Sequence, residues 1–332
     1  MTAPRKKIVC LGLEGTAHTS GVGIVDSDCL ILANEKHTFT TEEGGLIPRE
    51  LADHHLEKFP GLIENALKKS KKEWKAIDCI AFSQEPGIGA PLTVTATAAR
   101  TLALLHNKPL VGVNHCVAHI EIGKKMCSCK DPLVLYVSGG NSQIIGYESG
   151  RYRVYGETLD TGVVNLLDTF GRSLGIGFPA GPVIDKMYFE GKEYIDLPYS
   201  VKGMDLAFSG LLTAAKLKIE KVKKEDLAYS LMHTAFAMLL EVTERALAHT
   251  GKKELLITGG VAASKALQKM ASEMCKEREV KLYICPQEVA QDNGVMVSWL
   301  GILMYKSGVT TTIEESKPNQ RFRTDQQEVT WL

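Results

Sequence analysis

The sequence predicts an α/β protein built from two related halves, and three observations carry that reading. Apolar strand-like runs alternate along the chain with segments of helical periodicity. A hairpin design, an apolar strand entering and leaving a turn of small residues, occurs in KIVCLGLEGTAHTSGVGIVD and again in PLVLYVSGGNSQIIGYES. A third strand, ELLITGG, also ends on glycines and runs directly into a helix, VAASKALQKM.

The elements between these landmarks follow in order. PRELADHHLEKF and PGLIENALKKSKKEW each show helical periodicity, and each opens on a proline suited to a first helical turn. A glycine loop, SQEPGIGAP, leads into the Ala-rich helix LTVTATAARTLALLHN. EDLAYSLMHTAFAMLLEVTERALAHT is apolar on much of its surface and is therefore expected at the centre of its half. DNGVMVSWLGILMYKSG is the last helix, with Asp292 as its expected N-cap. The tail SKPNQRFRTDQQEVTWL is irregular and polar until its final residues. A length of 332 residues suits two domains. They are expected at 1–130 plus 299–332 and at 131–298, packed together around a cleft because no low-complexity linker separates them.

Composition excludes several classes. A hydrophobic content of 44% with 23% charged residues is that of an ordinary soluble globular chain. No apolar run approaches the roughly 20 residues that span a bilayer. The start, MTAPRKKIVC, lacks the long apolar region and cleavage site of a secretory signal, so a cytoplasmic, unprocessed chain is expected. The eight cysteines are scattered, mostly in apolar runs, which fits reduced buried thiols. Cys127 and Cys129 form a C-x-C, without the two-residue spacer or the partner pair of a zinc knuckle. The formal net charge is zero, so a nucleic-acid partner would have to meet local basic runs such as Lys68–Lys75 or Lys216–Lys224. Each of those runs also fits a solvated helix end.

Glycine turns expose backbone amides that can bind phosphate oxygens without a side chain in the way. Glu14-Gly15-Thr16, Ser138-Gly139-Gly140-Asn141-Ser142 and Gly259-Gly260 are the candidates. None matches a P-loop or a G-x-G-x-x-G fingerprint. Taken together they resemble the two phosphate hairpins and the adenosine loop of the actin, heat-shock chaperone and sugar-kinase superfamily.

The run VNHCVAHIEIG places His115 and His119 one helical turn apart, on one face. That spacing gives either a bidentate grip on a divalent metal or a pair of satisfied helix histidines. Tyr136, in the strand entering the SGGNS turn, and Asp292 are the oxygen donors that could complete a site. Two imidazoles with a carboxylate and a phenolate would suit iron or zinc better than copper(I) or calcium. A metalloprotease is disfavoured, because HCVAH has no glutamate beside either histidine.

Nine runs together resemble one family: LGLEGTAHTSGVGIV, GG-x-x-PRELADHH, NHCVAHIEIG, LYVSGGNSQIIGY, LDTFGRSLGIGFPAGPVIDK, LPYSVKGMDLAFSGL, LLITGGVAASKAL, QDNGVMVSWLG and QRFRTDQQEVTW. In collinear order over nearly the whole chain, they are similar to the archaeal and eukaryotic tRNA threonylcarbamoyladenosine synthase subunit. That subunit is the catalytic component of the KEOPS complex, once labelled an O-sialoglycoprotein endopeptidase. The resemblance implies a two-domain actin-like ATPase (ASKHA) fold with a duplicated core and an interdomain nucleotide cleft. It also implies transfer of threonylcarbamoyl from its adenylate to the exocyclic amine of adenosine 37 in tRNAs reading ANN codons. By motif position it assigns one divalent metal, iron before zinc, to His115, His119, Tyr136 and Asp292. An adenine nucleotide, threonylcarbamoyl-AMP or ATP, is assigned to Tyr136, Val137, Ser138, Gly139, Gly140, Asp168, Gly181, Asp185 and Ser264. The implied partners are tRNA and the other KEOPS subunits, including a small kinase-ATPase in trans, since the sequence closes soon after the RTD motif.

The chain departs from the family pattern at four places. The family usually carries Glu at Asp185, Asn at Ser264, glycine at Glu85 and histidine at Ile47. None of these is among the four implied ligands. For the chemistry, the adenine amine is a weak nucleophile, so help must come at the electrophile, through a metal polarising the carbonyl and amides holding the departing phosphate. Asp168 and Asp185 suit ribose hydroxyls, although Asp168 in LLDTF equally suits a cap. His18 is a candidate general base, and a turn histidine without a catalytic role fits it as well. Two rival readings remain. An actin-like kinase or ATPase would hold Mg²⁺ at the first hairpin, and a nucleotide-binding scaffold would lack chemistry altogether.

Overall fold

The computed structural model describes residues 7–41 and 46–332. Residues 1–6, with Arg5 and Lys6, and the Gly44-Gly45 pair before Pro48 lie outside the described residues. The first elements are β1 (Val9–Glu14), β2 (Thr19–Asp26), β3 (Ile31–Thr38), α1 (Pro48–Ser70), β4 (Cys79–Glu85), α2 (Gly89–Leu105), β5 (Leu110–Asn114) and α3 (His115–Cys127). They are followed by β6 (Leu133–Val137), β7 (Ser142–Glu148), β8 (Arg151–Glu157), α4 (Val163–Ser173), α5 (Gly181–Glu190), β9 (Val201–Lys202), β10 (Asp205–Leu206) and α6 (Ser209–Lys216). The chain closes with α7 (Lys224–Thr250), β11 (Glu254–Thr258), α8 (Lys265–Glu277), β12 (Lys281–Ile284), α9 (Gln287–Ala290) and α10 (Gly294–Lys306).

These elements form two compact units. One comprises Met1–Phe39, Leu46–Lys125 and Asp292–Leu332, and the other Thr40–Gly45 and Met126–Gln291. The returning segment thus begins at Asp292, seven residues before the position 299 expected from sequence, because all of α10 packs on β1, β2 and β4. In the first unit the strand order is β3-β2-β1-β4-β5, with the first three strands antiparallel and β1, β4 and β5 parallel. The second unit repeats this plan as β8-β7-β6-β11-β12, again with an antiparallel meander and with β6, β11 and β12 parallel. The duplicated hairpins seen in the sequence are the β1–β2 and β6–β7 pairs of these two sheets.

Two helical readings change. The two proline-headed helices expected after residue 48 are one helix, α1, with Pro60 inside it. Its apolar stripe, Leu51, Phe59 and Ala66, is buried, and the helix packs on β2, β3 and α2. That packing holds the helix through the one backbone hydrogen bond the proline cannot make. The second change is at α10, whose cap is Asn293, its side chain accepting from the Met296 amide at 3.0 Å. Asp292, expected as that cap, is left for another task. As anticipated, α7 is buried along most of its length.

The position of α10 follows from glycines on β1 and β2. A Cβ on Gly23 would stand 2.3 Å from the Gly294 carbonyl carbon, and one on Gly12 would stand 2.4 Å from the Ser298 amide. Because these positions lack side chains, the first turn of α10 rests directly on the sheet backbone. Ser298 Oγ donates to the Gly23 carbonyl at 2.9 Å and fastens the contact.

All eight cysteines are free thiols; Cys10, Cys79, Cys116, Cys275 and Cys285 are buried, whereas Cys29, Cys127 and Cys129 are half-buried. Among the described residues no helix is long and apolar enough to cross a membrane.

Candidate functional site

Helix α3 starts at His115 because Asn114, the last residue of β5, accepts from the Val117 amide through its side chain at 3.1 Å. The cap places His115 and His119 at successive turns, both buried, with ring centroids 4.7 Å apart. Their Nε2 atoms face each other at 3.2 Å. Asp292, set down by the first turn of α10, brings Oδ1 to 3.2 Å from His119 Nε2 and 3.5 Å from His115 Nε2. Among the described residues these three side chains form a group able to hold a metal, with donor atoms within 4.8 Å of one another.

The donor set fits such an ion. Ligands about 2.0–2.2 Å from one metal stand roughly 3–3.6 Å apart in tetrahedral geometry, which is the spacing seen here. Two imidazole nitrogens with one carboxylate oxygen are borderline ligands, suited to zinc or iron.

The electrostatics agree. Glu14, at the end of β1, lies behind His115, its Oε2 3.0 Å from Nδ1. Its other oxygen accepts from the amide and the hydroxyl of Thr16, at 2.8 and 2.7 Å. Glu14 therefore fixes His115 with Nδ1–H toward the carboxylate and Nε2 toward Asp292. Burial opposes charge on His115, yet Glu14 and Asp292 outweigh it and hold the imidazole up at about 9. Burial dominates at His119 and lowers it. Burial also works against the Asp292 carboxylate, but the two histidines hold it well below the usual range. In the protein without metal, a proton on His115 thus stands where a cation would satisfy all three groups.

In the sequence Glu14 stands only as part of a glycine turn. Its partnership with His115 was not apparent, since 101 residues separate the two. The first turn differs from expectation as well. The Gly15 amide donates to Ser83 Oγ at 3.1 Å and the Thr16 amide to Glu14 at 2.8 Å, so both donors are already engaged within the protein.

Tyr136 belongs to the second unit, where it is fully buried on β6 in register with Thr258 and Gln143. Past Val137 the SGGNS turn is closed by the Ser138 amide, which donates to the Asn141 carbonyl at 3.0 Å. Nothing lies within 4 Å of a Cβ built on Gly139, Gly140, Gly181 or Gly260, so each position faces open space on its Cβ side. Gly259 is different. At φ +95°, a Cβ there would stand 2.3 Å from the Val137 carbonyl oxygen, so only glycine lets β11 end against the β6 turn.

Asp168 is nearly buried and accepts from the Ala180 amide at 2.9 Å, which ties α4 to the start of α5. Asp185 and Ser264 meet, with Ser264 Oγ donating to Asp185 Oδ1 at 2.5 Å. Asp185 also accepts from the amides of Lys265 and Ala266, while Ser264 Oγ accepts from Leu267. The pair therefore caps α8 from two sides. His18 lies at half burial beyond the first turn, and its carbonyl accepts from Phe39. Glu85, where glycine was expected, has its carboxyl pushed up to about 7 by burial.

The sequence and the fold both have known relatives. Residues 30–299 match the profile of the tRNA N6-adenosine threonylcarbamoyltransferase family. The chain is 55% identical to the protein of that name from Thermococcus sibiricus, over 98% of this chain and 100% of the relative. It is 52% identical to a probable bifunctional tRNA threonylcarbamoyladenosine biosynthesis protein from Methanocaldococcus jannaschii, over 98% of this chain and 61% of that longer relative. Two solved structures share the fold at low identity. They are HypF of T. kodakarensis (TM-score 0.62, 14% identity, 91% of this chain and 48% of that one) and component A of the Acidaminococcus fermentans (R)-2-hydroxyglutaryl-CoA dehydratase (0.57, 12%, 89% and 98%). The chain belongs to the tRNA N6-adenosine threonylcarbamoyltransferase family.

Proposed function

We propose that this chain is a cytoplasmic transferase that moves threonylcarbamoyl from threonylcarbamoyl-AMP to the exocyclic amine of adenosine 37 in ANN-decoding tRNAs. The observation that carries the reading is the convergence of His115, His119 and Asp292, backed by Glu14, in a chain of this family. A divalent ion, iron before zinc, would be held by these three residues with Tyr136 as the fourth ligand. When bound, that ion supplies Lewis-acid polarisation of a carbonyl or carboxylate oxygen.

The remaining contributions belong to the chain itself. Glu14 keeps Nε2 of His115 in the ligating tautomer. We assign the phosphate that leaves as AMP to the backbone of Gly139 and Gly140, in a turn closed by Ser138 and Asn141 and with free space on the Cβ side of both glycines. Asp168 and Asp185, whose carboxylates accept from amides at the starts of α5 and α8, are the residues we assign to the ribose hydroxyls. The longer relatives described as bifunctional support a partnership with a second component, here the KEOPS subunits with a small kinase-ATPase acting in trans.

The test is reconstitution with tRNA, threonylcarbamoyl-AMP and those partner subunits. Replacing both histidines (His115→Ala, His119→Ala) should remove metal content and modified nucleoside together. Full modification by a metal-free double variant would refute the site. Gly139→Val should weaken binding of a non-hydrolysable adenylate analogue at least tenfold while metal content stays at one per chain.

A further inference from the structure

The C-x-C pair at the end of α3 is not used by the proposed chemistry, yet its surroundings are ordered. Cys127 is the last residue of α3, and its thiol donates to the Ile284 carbonyl on the edge strand β12 at 3.5 Å. Three residues on, the amides of Lys130 and Asp131 both donate to Glu254 Oε2 at 2.9 Å. The short segment carrying both thiols is therefore fastened at each end to the β11–β12 pair. Between them, Ser128 has φ +56°, in the left-handed region that a serine rarely occupies. Two residues of extended chain span up to about 7 Å, the outer limit for the Cα atoms of a disulfide. The left-handed turn folds the segment back and shortens that span.

The two thiols are in contact. Cys129 hydrogen-bonds to Cys127, and this bond is the main cause holding the Cys127 thiol below its ordinary value against the effect of burial. Lys281, whose ammonium lies 4.7 Å over the Tyr283 ring, is near enough to Cys129 to interact with it. Both cysteines are half-buried and so reachable from solvent. A third thiol close by, Cys285, is buried and pushed up to about 12, chiefly by that burial, which keeps it protonated. The other half-buried cysteine, Cys29, is pushed up to about 11, again by burial.

We infer that Cys127 and Cys129 form a redox-active dithiol that reacts with low-molecular-weight disulfides such as glutathione disulfide. The Cys127 thiolate attacks one sulfur of glutathione disulfide; a Cys127–glutathione bond forms, the glutathione S–S bond breaks, and one glutathione thiolate leaves. The Cys129 thiolate then attacks Cys127 Sγ and expels the second glutathione. The chain loses two electrons and glutathione disulfide gains them. The two thiol protons pass to solvent or to the departing thiolates.

The test uses the full chain equilibrated in buffers of graded reduced-to-oxidised glutathione, quenched with an alkylating reagent and mapped by peptide mass. Two of the eight thiols should become protected, and a peptide spanning 126–130 should lose two hydrogens. Cys129→Ala, which removes both the resolving thiol and its hydrogen bond, should stop at a glutathione adduct on Cys127 that dithiothreitol reverses, and should form it several-fold more slowly than the parent chain. The inference is overturned if Cys127 and Cys129 stay reduced where Cys29 is already modified. It is overturned equally if the bridge joins Cys127 to Cys285, or if Cys127 reacts at the parent rate in Cys129→Ala.

Discussion

Glu14 Oε2 lies 3.0 Å from His115 Nδ1, and this contact connects the first strand to the face of α3 that carries both histidines. A carboxylate behind a ligating imidazole fixes the ring and raises its basicity. Glu14→Gln keeps the shape and loses the charge. The variant should bind zinc about 10–100-fold more weakly while its circular dichroism stays that of the parent. Unchanged affinity in a competition titration would show that Asp292 alone sets the state of His115.

The same contact predicts how binding depends on pH. Without metal, burial lowers His115 but Glu14 and Asp292 prevail and hold it at about 9, above the roughly 6.5 of an unfolded histidine. Its stabilising contribution is full below pH 6.5 and fades as pH rises through 9. Metal must displace that proton. Zinc affinity should climb by up to about tenfold per pH unit between roughly 7 and 9, then level off. A flat profile across pH 7, 8 and 9 would mean that the site releases no proton on binding.

Glycine on the sheet decides where Asp292 stands. A methyl group on Gly23 would come within 2.3 Å of the Gly294 carbonyl carbon, so α10 would have to move, carrying Asp292 with it. Overpacking of this kind costs about 1–3 kcal/mol. Gly23→Ala should lower the melting temperature and also reduce zinc affinity at least tenfold, although residue 23 ligates nothing. A lower melting temperature with parental zinc affinity would show that the position of Asp292 does not depend on this contact.

The strand–turn–strand repeats were legible in the sequence because apolar alternation and glycine turns are local signals, and the two sheets follow them. The i,i+4 histidines were legible for the same reason. Asp292 was legible too, as an oxygen donor for that pair, whereas the contact of Glu14 with His115 was not, because it depends on elements far apart in sequence being brought together. Asp292 read as a cap since it precedes a helix, and its neighbour Asn293 took that role through its bond to Met296. Pro60 read as a helix start because local rules cannot register the packing of α1 on β2 and β3, which keeps that helix whole.

Asp185 and Ser264, both departures from the usual family residues, face one another across 2.5 Å. A shorter acid is matched here by a shorter partner, and together they cap α8 by accepting from Lys265, Ala266 and Leu267. Restoring the family's glutamate alone, as Asp185→Glu, pushes an extra methylene into an already close contact. Restoring asparagine alone, as Ser264→Asn, crowds the same contact from the other side, although asparagine remains a good cap. Each single variant should therefore melt below the parent, while the double variant recovers most of the loss, with a coupling of about 0.5–3 kcal/mol. Affinity for an adenylate analogue should follow the same pattern if Asp185 also meets the ribose. Strictly additive losses in melting temperature would mean that the two positions act independently and that their meeting has no energetic weight.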